Sequence, residues 1–409
     1  MTKYTYKYRL RPTPEQEVLL AKHFGCCRFV YNHFLAKRIN AYKTDKTSLK
    51  RKDNEKELPT LKSELDWLKE VGSQSLQYSV ECLQNAYDHF FRRLKARKKG
   101  QKPGFPTFKK RHGKQSFRVK QNIRIINGKL VIPKFLEGIP IVLHRELEGQ
   151  IEFATISKNK SGNYFVAITV TRGIQPLPES CELVGLDLNV KHVVDSNGNK
   201  YANPRPEHVH RDRLRMLSKQ VSRREKGSKG REKAKQKLAK FKQYCHDVRE
   251  DFLHKLSRKL VNENQVICCE DLSVESMLAR NEDEPRWKQK RLHRWLQDCG
   301  FYSFVQKLVY KASWYGRQLV KVSRWFPSSQ LCNHCGWRYH DLPKDCKEWT
   351  CWNCWEYNDR DVNSARNVLN EGWRILTVGT TGIADCPGVR PAQSGLLVGS
   401  EAPPSLGAG

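Results

Sequence analysis

The sequence predicts a multidomain α+β protein, and three observations indicate this fold class. The chain has 409 residues, which is enough for two or three domains with cores of their own. Over most of the first hundred residues, apolar side chains recur every three to four positions, as they do in packed helices. From about residue 117 to 172 the pattern changes to short alternating segments with turn signals, which is typical of β-strands.

The N-terminal segment is predicted to be one strand followed by a helical bundle. YTYKYRLRP alternates aromatic and basic residues, as a half-exposed strand does. Thr13-Pro14-Glu15-Gln16 then supplies a helix cap, a first-turn proline and a capping-box glutamine. We expect the helix that begins there to be interrupted at Gly25 and to resume through RFVYNHFLAKRINAYK. The apolar spacing predicts two further helices, at 60–70 and 75–97.

A basic loop and a group of strands follow the helices. The loop KKGQKPGFPTFKKRHGKQSF is rich in lysine, glycine and proline. In the strand region after it, Asn127-Gly128 and Ser161-Gly162-Asn163 are turn sequences that favour hairpins. We therefore expect a small barrel or sheet, joined by the N-terminal strand.

The second half of the chain mixes strands with longer helices. After the linker QPLPES, ELVGLDLNVKHVVDSNGNKY is predicted to form a strand, a tight turn and a strand. One long polar helical stretch is predicted from about 208 to 262. NQVICCEDL indicates a short buried strand that ends in acids, and FYSFVQKLVYKASWYGRQLVKV indicates a helix that leads into another strand. The last thirty residues lack periodicity and are predicted to be disordered.

The charge balance predicts a polyanionic partner. The chain carries 75 Lys and Arg against 43 Asp and Glu, a net charge of +32 with a pI near 9.7. Between Arg211 and Lys240 there are thirteen basic residues and three acidic ones, so we expect this helix to follow a phosphate backbone; a solvated helix face is the alternative. No apolar run reaches eighteen residues and no signal peptide is recognisable. These features predict a soluble, cytosolic protein that binds nucleic acid and no membrane.

Fourteen cysteines without a signal peptide favour a reducing compartment. Cys332-x2-Cys335 and Cys351-x2-Cys354, fifteen residues apart, have the spacing of a tetrahedral four-thiolate zinc site, which is structural because it leaves no open position. His334, His340 and Cys346 are not needed to complete it. We expect the remaining cysteines among apolar neighbours to be small buried side chains: Cys26, Cys27, Cys82, Cys181, Cys245, Cys268, Cys269 and Cys299.

Four acids stand at the ends of predicted elements. Asp187 and Glu270 close apolar strands, and Asp359 and Asp361 lie where a helix should begin. Such residues can simply cap a helix or occupy a turn. A carboxylate that closes an apolar strand, however, needs a partner or a cation. Three such carboxylates together would suit two-metal phosphodiester hydrolysis, with Mg²⁺ ions about 3.5–4 Å apart. The residues alone leave both interpretations open.

The chain resembles the TnpB family of transposon-encoded, RNA-guided DNA nucleases, which are related to type V CRISPR effectors. The matching segments occur in family order: RFVYNHFL, FPTFKKR, GLDLNVK, EDL, FPSSQLCNHCG, CWNC and NDRDVNSARN. The resemblance implies an RNase H-like (RuvC) nuclease whose catalytic, magnesium-binding carboxylates are Asp187, Glu270 and Asp361. It implies that Asp359 is either a helix-start residue or a residue that contacts the metal ligands without binding the metal. Asn189 stands where many relatives have glycine, and asparagine can adopt the same turn conformation.

The resemblance also implies a domain arrangement: a small β-barrel wedge domain and a helical recognition bundle that precede a nuclease domain with an inserted zinc ribbon. The expected boundaries are 1–12 and 105–178 for the wedge, 13–104 for the recognition domain, 179–326 and 357–385 for the RuvC-like domain, 327–356 for a zinc ribbon that binds target nucleic acid, and 386–409 for a disordered tail.

The function implied by this resemblance is RNA-guided cleavage. The protein would use Mg²⁺ to cut double-stranded DNA beside a short target-adjacent motif, with a guide RNA derived from the transposon end. We expect its partners to be the guide RNA and the DNA target, and the protein to be a monomer in a ribonucleoprotein, near the nucleoid of a prokaryotic cytoplasm. The alternative is a zinc-ribbon protein that binds nucleic acid, regulates transposition and cuts nothing.

Overall fold

A computed structural model describes residues 2–96, 103–111, 113–279, 284–343 and 345–379. The chain forms two compact units, Met1–Gly173 and the segment from Ile174 onward, and each is described by itself. The predicted disordered tail, 386–409, lies outside the described residues. None of the described helices combines the length and the apolar character needed to span a bilayer.

The helices of the first unit are α1 (Pro14–Asp45), α2 (Arg51–Glu64) and α3 (Ser73–Lys95), with a 3-10 turn at Asp66–Glu70 between the last two. The predicted capping box at the start of α1 is confirmed, because the Gln16 backbone N–H donates to Thr13 Oγ1 at 3.3 Å and the Gln16 side chain accepts from the Thr13 N–H at 3.2 Å. The predicted helix at 60–70 is wrong, since α2 ends at Glu64.

The predicted interruption of α1 at Gly25 is also wrong, because α1 is continuous over 32 residues. Glycine costs about 1 kcal/mol in a helix interior. Here the neighbours Phe24, Cys26 and Cys27 are all buried in the core of the unit. Tertiary packing on both sides of Gly25 therefore outweighs its low helix propensity.

Seven strands form the sheet of the first unit, in the order β2-β6-β7-β1-β5-β4-β3. The first strand pairs antiparallel with β7 along its whole length, from Thr2↔Arg172 to Leu10↔Tyr164, and its end pairs with β5. The prediction that the N-terminal strand joins the later ones is confirmed. The strand bounds are β1 (Thr2–Leu10), β2 (Gln115–Val119), β3 (Arg124–Ile126), β4 (Lys129–Ile132), β5 (Phe135–Val142), β6 (Gln150–Lys158) and β7 (Tyr164–Arg172).

The second unit contains a five-stranded mixed sheet in the order β10-β9-β8-β11-β12. Its central strand β8 pairs antiparallel with β9 and parallel with β11, which in turn is parallel to β12. A separate hairpin of β13 and β14 lies between the sheet and the last helix in the chain order. The strand bounds are β8 (Leu183–Leu188), β9 (His192–Asp195), β10 (Lys200–Ala202), β11 (Val266–Glu270), β12 (Gln318–Val322), β13 (Glu348–Thr350) and β14 (Tyr357–Asp359).

The helices of the second unit are α4 (Pro206–Val209), α5 (Arg211–Ser222), α6 (Lys229–Glu263), α7 (Val274–Met277), α8 (Arg286–Cys299), α9 (Phe301–Tyr315) and α10 (Arg360–Gly379). The prediction of one helical stretch from 208 to 262 is wrong, because the basic segment forms two helices, α5 and α6. Gly227 has φ +92 in the turn between them, and Ser228 caps α6 by accepting from the Arg231 N–H at 3.1 Å.

Burial of the predicted cysteines follows the expectation with one clear exception. Cys26, Cys27, Cys245, Cys268, Cys269 and Cys299 are buried, and Cys82 is half-buried. Cys181 is exposed, so its predicted burial is wrong. It belongs to the polar segment that leads into β8, where the chain has not yet entered the sheet.

The two faces of the second sheet have different coverings. Leu186 and Leu188 of β8 pack in one core with side chains of α6, α8 and α9. Alternate strand residues point to opposite faces, so Gly185 faces the other way, toward α10. A Cβ at Gly185 would lie 2.1 Å from the Ala365 carbonyl oxygen, and one at Gly372 would lie 2.3 Å from Cys268 Sγ. Glycine at these two positions therefore allows α10 to lie very close to the sheet.

Gly185→Ala is expected to destabilise the protein by about 3 kcal/mol or more, because the new methyl group meets backbone rather than a movable side chain. Gly25→Ala is the matched control, since nothing lies within 4 Å of its added Cβ; there we expect a gain of about 1 kcal/mol. Urea unfolding of both variants measures the difference. Equal midpoints would show that α10 does not depend on the close approach at Gly185.

Candidate active site and metal centre

Asp187 and Glu270 lie at the carboxyl ends of adjacent parallel strands. Leu186 of β8 is in register with Cys269 of β11, so the next residue of each strand is the acid. Asp187 shares a face with Gly185, and Glu270 shares a face with Cys268, because side chains alternate along a strand. This is the face that α10 covers, and Asp361 lies in the first turn of α10. The fold thus places the three acids, which are far apart in sequence, at one face of the sheet, close enough for the charges of Glu270 and Asp361 to act on Asp187.

The electrostatics of this site disfavour three negative charges. Asp187 is 9% exposed, and burial, together with the charges of Glu270 and Asp361, raises its pKa to about 7. Burial likewise raises the pKa of Glu270, although a hydrogen bond from Ser328 opposes the shift. Carboxylates in this situation are stabilised by a cation that they share. The donor set is all oxygen, which suits Mg²⁺.

Each of the three carboxylates accepts a hydrogen bond from a different segment. Asn189 Nδ2 donates to Asp187 Oδ2 at 2.5 Å, and Ser328 Oγ donates to Glu270 Oε1 at 2.6 Å. Lys347 Nζ lies 3.1 and 3.2 Å from the two oxygens of Asp361. A carboxylate has about four lone-pair positions, so these contacts orient the acids and leave acceptor capacity for a metal.

Asp359 has a different environment from Asp361. Its Oδ1 accepts from the backbone N–H groups of Asp361 at 3.0 Å and Val362 at 3.1 Å, and Lys200 Nζ donates to its Oδ2 at 2.6 Å. Burial raises the pKa of Asp359, but these hydrogen bonds outweigh burial and hold the pKa below its ordinary value. Asp359 therefore caps α10 and fixes the helix start on which Asp361 lies.

Several positioning residues of the site were missed in the sequence. Ser364 Oγ donates to Ser328 Oγ at 3.0 Å, and Asn367 Nδ2 donates to the Ser328 carbonyl oxygen at 2.8 Å. Asn363 Nδ2 donates to the Leu331 carbonyl oxygen at 2.7 Å. Ser364, Asn367 and Asn363 are buried on one side of α10. Asn363 and Ser364 precede Asn367 by four and three residues, among apolar neighbours. This helical spacing is the signal that could have identified them.

The raised pKa of Asp187 predicts that the stability of the metal-free protein depends on pH. Between its ordinary value of 3.8 and about 7, the folded state retains a proton that the unfolded state has released. Stability is therefore lost as the pH rises through this window. At pH 8, Asp187→Asn should be more stable than the wild type by a few kcal/mol in the absence of divalent metal, on the order of 1.36 kcal/mol per pKa unit.

Thermal unfolding with EDTA at pH 5 and pH 8 tests this expectation. The advantage of the asparagine variant should grow with pH, and added Mg²⁺ should stabilise the wild type more than the variant. An advantage that is the same at both pH values would contradict the assignment of the proton to Asp187.

Ser328→Ala is expected to weaken metal binding by about 10- to 100-fold, because the side chain that orients Glu270 is lost. The pKa of Glu270 should rise further, since the Ser328 hydrogen bond lowers it. We expect metal binding to require more Mg²⁺ and a higher pH. The measurement is the thermal stabilisation of the protein against Mg²⁺ concentration at several pH values, with Ser323→Ala as the control on the same connecting segment; identical curves would exclude this role for Ser328.

The four predicted cysteines form a compact cluster. The Sγ atoms of Cys332, Cys335, Cys351 and Cys354 all lie within 4.8 Å of one another. The Sγ distances are 3.6 Å for Cys332–Cys354 and 3.6 Å for Cys335–Cys351. Cysteine thiolates in this arrangement suit tetrahedral zinc. His334, His340 and Cys346 are not part of the cluster.

Both cysteine pairs are held by tight turns. The Gly336 N–H donates to the Cys332 carbonyl oxygen at 2.8 Å, and the Trp355 N–H donates to the Cys351 carbonyl oxygen at 2.9 Å. Gly336 and Trp355 follow the second cysteine of each pair and have φ values of +75 and +61. A positive φ is costly for a bulky residue such as tryptophan, so the fold must enforce the second turn.

The cysteine cluster is connected to α10 and hence to the acids. The strand β14 runs from the second cysteine pair directly into Asp359 and α10. The Asn333 N–H, between the first two cysteines, donates to Asn363 Oδ1 at 2.8 Å. Asn333 Nδ2 also donates to Asn367 Oδ1 at 3.2 Å. The cluster thus supports the helix that carries Asp361.

Comparison with known families matches three parts of the chain. Residues 1–47 match a model described as "Helix-turn-helix domain", residues 163–281 one described as "Probable transposase", and residues 301–368 one described as "Cas12f1-like, TNB domain". The second segment contains Asp187 and Glu270, and the third contains Asp361 and the four cysteines. Within 2–47 the structure has one strand and one continuous helix rather than two helices.

Curated relatives match over nearly the whole length. A Streptomyces pristinaespiralis protein named "Putative RNA-guided DNA endonuclease" is 36% identical over 402 residues, which cover 97% of this chain and 94% of that protein. The chain belongs to the TnpB family. This TnpB-family chain is also 29% identical to "Putative RNA-guided DNA endonuclease InsQ" of Escherichia coli K12. That match covers 91% of this chain and 93% of the relative's length. A "TnpB-like protein" of Acanthamoeba polyphaga mimivirus is 32% identical over a segment that covers 36% of this chain and 27% of that protein.

Two solved structures match most of this TnpB-family chain at low sequence identity. A Cas12f1 complex with sgRNA and target DNA has a TM-score of 0.47 at 12% identity and covers 90% of this chain and 99% of that one. The mini RNA-guided endonuclease Cas_phi3 has a TM-score of 0.46 at 10% identity and covers 93% of each chain.

Proposed function

We propose that this protein is an RNA-guided, Mg²⁺-dependent endonuclease that cleaves double-stranded DNA beside a short target-adjacent motif. The observation that carries the proposal is the convergence of Asp187, Glu270 and Asp361 at one face of a mixed sheet. Membership of the TnpB family and the names of the full-length relatives support the RNA-guided activity.

The arrangement of the second sheet supports an RNase H-like nuclease domain. Its order β10-β9-β8-β11-β12, with an antiparallel hairpin at one side and parallel strands at the other, is typical of that fold. In open sheets of this kind, functional side chains gather at the carboxyl ends of the parallel strands. Asp187 and Glu270 end β8 and β11 there, and α10 supplies the third acid.

The three carboxylates would hold Mg²⁺, which supplies water activation and stabilisation of the leaving oxygen in phosphodiester hydrolysis. The chain's own residues prepare the ligands. Asn189 and Ser328 orient the oxygens of Asp187 and Glu270, and the Asp359 cap fixes the start of α10. Burial of Asp187 limits the competition of bulk water for the same oxygens.

The four-cysteine cluster would hold a structural Zn²⁺. Binding at comparable sites is worth on the order of 10 kcal/mol or more in apparent free energy. In the domain arrangement that we propose, this element is a target nucleic-acid-binding insertion at 327–356 in a RuvC-like domain of 179–326 and 357–385. The exposed Trp352 and Trp355 beside the cluster support contact with nucleic acid.

The first unit would hold the nucleic acids. We propose a wedge domain of 1–12 and 105–178 and a recognition domain of 13–104, which together grip a guide RNA from the transposon end and read the target-adjacent motif. The protein would act as a monomer in a ribonucleoprotein at the nucleoid of a prokaryotic cell. The net charge of +32 supports simultaneous binding of RNA and an opened DNA duplex.

The test is programmed cleavage. The protein is expressed with its own flanking DNA, the RNA that co-purifies is sequenced, and the complex is given a plasmid library with a matching target and randomised flanking bases. We expect linear plasmids with Mg²⁺ and none with EDTA, and the flanks of the cut plasmids give the motif. A complex that carries RNA but leaves every target intact would instead favour the zinc-ribbon regulator.

A further inference from the structure

The second unit has a basic and aromatic groove whose lining includes none of the three candidate acids. The groove has a volume of about 940 Å³ and is formed by α4, α5, α6 and α8. Pockets that bind small molecules or single cofactor-sized groups range over about 300–1,000 Å³, so this one can admit a nucleotide with its neighbouring phosphates. Its basic lining consists of Arg211, Arg215, Lys242, Arg291 and Arg294.

The basic residues are presented on regular helix faces. Arg211 and Arg215 are four residues apart on α5, and Arg291 and Arg294 are three apart on α8, so each pair projects from one side of its helix. Across the described residues, none of the five groove cations forms an ion pair with a carboxylate. Arg294 Nε donates to the Lys290 carbonyl oxygen at 3.1 Å, but this contact leaves the charge of the guanidinium without a counterion among the described residues. The five cations therefore favour an external anion.

The acidic residues of the groove do not neutralise these cations. Asp298 is buried and its oxygens are already engaged: Arg249 Nη1 lies 3.0 Å from Oδ1, and the His208 N–H donates to Oδ2 at 2.9 Å. Glu207 is the other acidic lining residue. The groove is thus strongly positive, and an anionic ligand is its natural occupant.

Two tryptophans give the groove a second kind of contact. Trp295 forms the wall, with the Arg291 guanidinium 4.5 Å from its ring centroid and the His208 ring edge-on to it. Trp287 lies about two turns before Trp295 on α8 and is 64% exposed. An exposed indole among arginines is a stacking platform for a base, and a base can stack there only if it is unpaired.

The helices that line the groove favour one kind of nucleic acid as its occupant. Leu256 of α6 and Leu296 of α8 pack on the face of the sheet that carries Leu186. Asp187 is on the opposite face, beneath α10. The groove is thus formed by helices of which two cover the face opposite the acids, which favours a nucleic acid other than the strand that is cut.

We infer that this groove binds an unpaired nucleotide of the guide RNA, with its flanking phosphates on Arg211, Arg215 and Arg291 and its base stacked on Trp287. The inference rests on the proposed RNA-guided function. It adds to that function an RNA-anchoring site within the nuclease unit.

The test uses the RNA that co-purifies with the protein, labelled and added back to the RNA-free full chain without Mg²⁺ or target DNA. Trp287→Ala should weaken binding by roughly 5- to 150-fold without changing its salt dependence. Arg291→Ala should weaken binding and lower the slope of log K against log salt by about 0.7, as expected for one lost phosphate contact. Trp287→Phe, which keeps an aromatic face, should bind nearly as the wild type does.

Lys288→Ala is the matched control, because Lys288 is exposed on the same helix and does not line the groove. If Trp287→Ala binds the RNA as tightly as Lys288→Ala, the inference is overturned. Loss of single-stranded DNA binding with unchanged RNA binding would overturn the assignment to RNA. If the protein binds the RNA through Trp287 but cuts no DNA, the inference about the groove is supported and the proposed nuclease function is contradicted.

Discussion

Asp187→Ala is expected to reduce DNA cleavage by on the order of 10³-fold or more, because metal stabilisation of the transition state is worth several kcal/mol and each 1.36 kcal/mol is tenfold in rate. Asp187 is buried and feels the charges of Glu270 and Asp361, so removal of its carboxylate takes away one of the three acids that we propose as metal ligands. The remaining acids, Glu270 and Asp361, would hold the metals less firmly and less accurately.

Binding of nucleic acid should survive the same substitution. Asp187 carries no positive charge and is too buried to contact a phosphate backbone along its length, so its loss should leave the affinities for guide RNA and DNA within about twofold of the wild type. The experiment therefore measures cleavage under single-turnover conditions and binding by filter retention on one preparation. A variant that loses both activities together would indicate misfolding rather than a catalytic defect.

Asp271→Ala provides the control for charge. Asp271 follows Glu270 directly but is about half-exposed, and it pairs with Lys321 at 3.2 Å and Arg324 at 3.3 Å. Exposed pairs of this kind contribute little to stability, about 0–1 kcal/mol. We expect Asp271→Ala to cut as the wild type does. If Asp187→Ala cleaves DNA at the same rate as Asp271→Ala, Asp187 is not part of the active site.

Two of the candidate acids stand out in the sequence because each breaks a local pattern, whereas the choice of Asp361 over Asp359 came from the family resemblance. Asp187 and Glu270 close apolar strands, and a charged residue at such a position is conspicuous in the sequence. The close approach of α10 to the sheet was not predictable, since Gly185 and Gly372 are ordinary glycines until the helix is packed on them. The same holds for Ser328, whose contact with Glu270 spans 58 residues.

Helix boundaries depend on a balance between local propensity and tertiary packing, and the packing cannot be read from a linear sequence pattern. The interruption expected at Gly25 is absent because buried neighbours hold α1 together, whereas the turn at Gly227 divides a stretch that looked uniformly helical. Residues around Gly227 are exposed and gain little from packing, so the local preference of glycine decides there. The groove between α5 and α8 was likewise hidden, because its residues come from segments about eighty positions apart.

Cys351→Ser is the second substitution with a large expected effect. Cys351 is fully buried in the four-cysteine cluster, and its replacement removes one of four thiolates. Within the described part of this element, Leu342 and Trp349 are the two buried side chains other than cysteines in the apolar core, so we expect the element to depend on a bound metal for order. We expect the variant to lose its zinc and to become sensitive to proteolysis within residues 327–356.

Cleavage should fall with the metal, although Cys351 contacts none of the acids. The strand β14 leads from the cluster into the Asp359 cap, and Asn333 holds Asn363 of α10 at 2.8 Å. Loss of the cluster releases both contacts at the start of the helix that carries Asp361. A displacement of about 1 Å at a catalytic group can cost about 10²-fold in rate, so a defect of at least this size is expected.

Cys346→Ser separates this role from a general effect of losing a thiol. Cys346 lies in the same element but outside the cluster, and its Sγ donates to the Glu348 carbonyl oxygen at 3.1 Å, a bond that serine can also make. Zinc content, proteolysis and cleavage rate are compared for the two variants. The control should keep its zinc and its rate, because the four thiolates are intact. If Cys351→Ser does the same, the cluster neither needs that thiolate nor supports the active site.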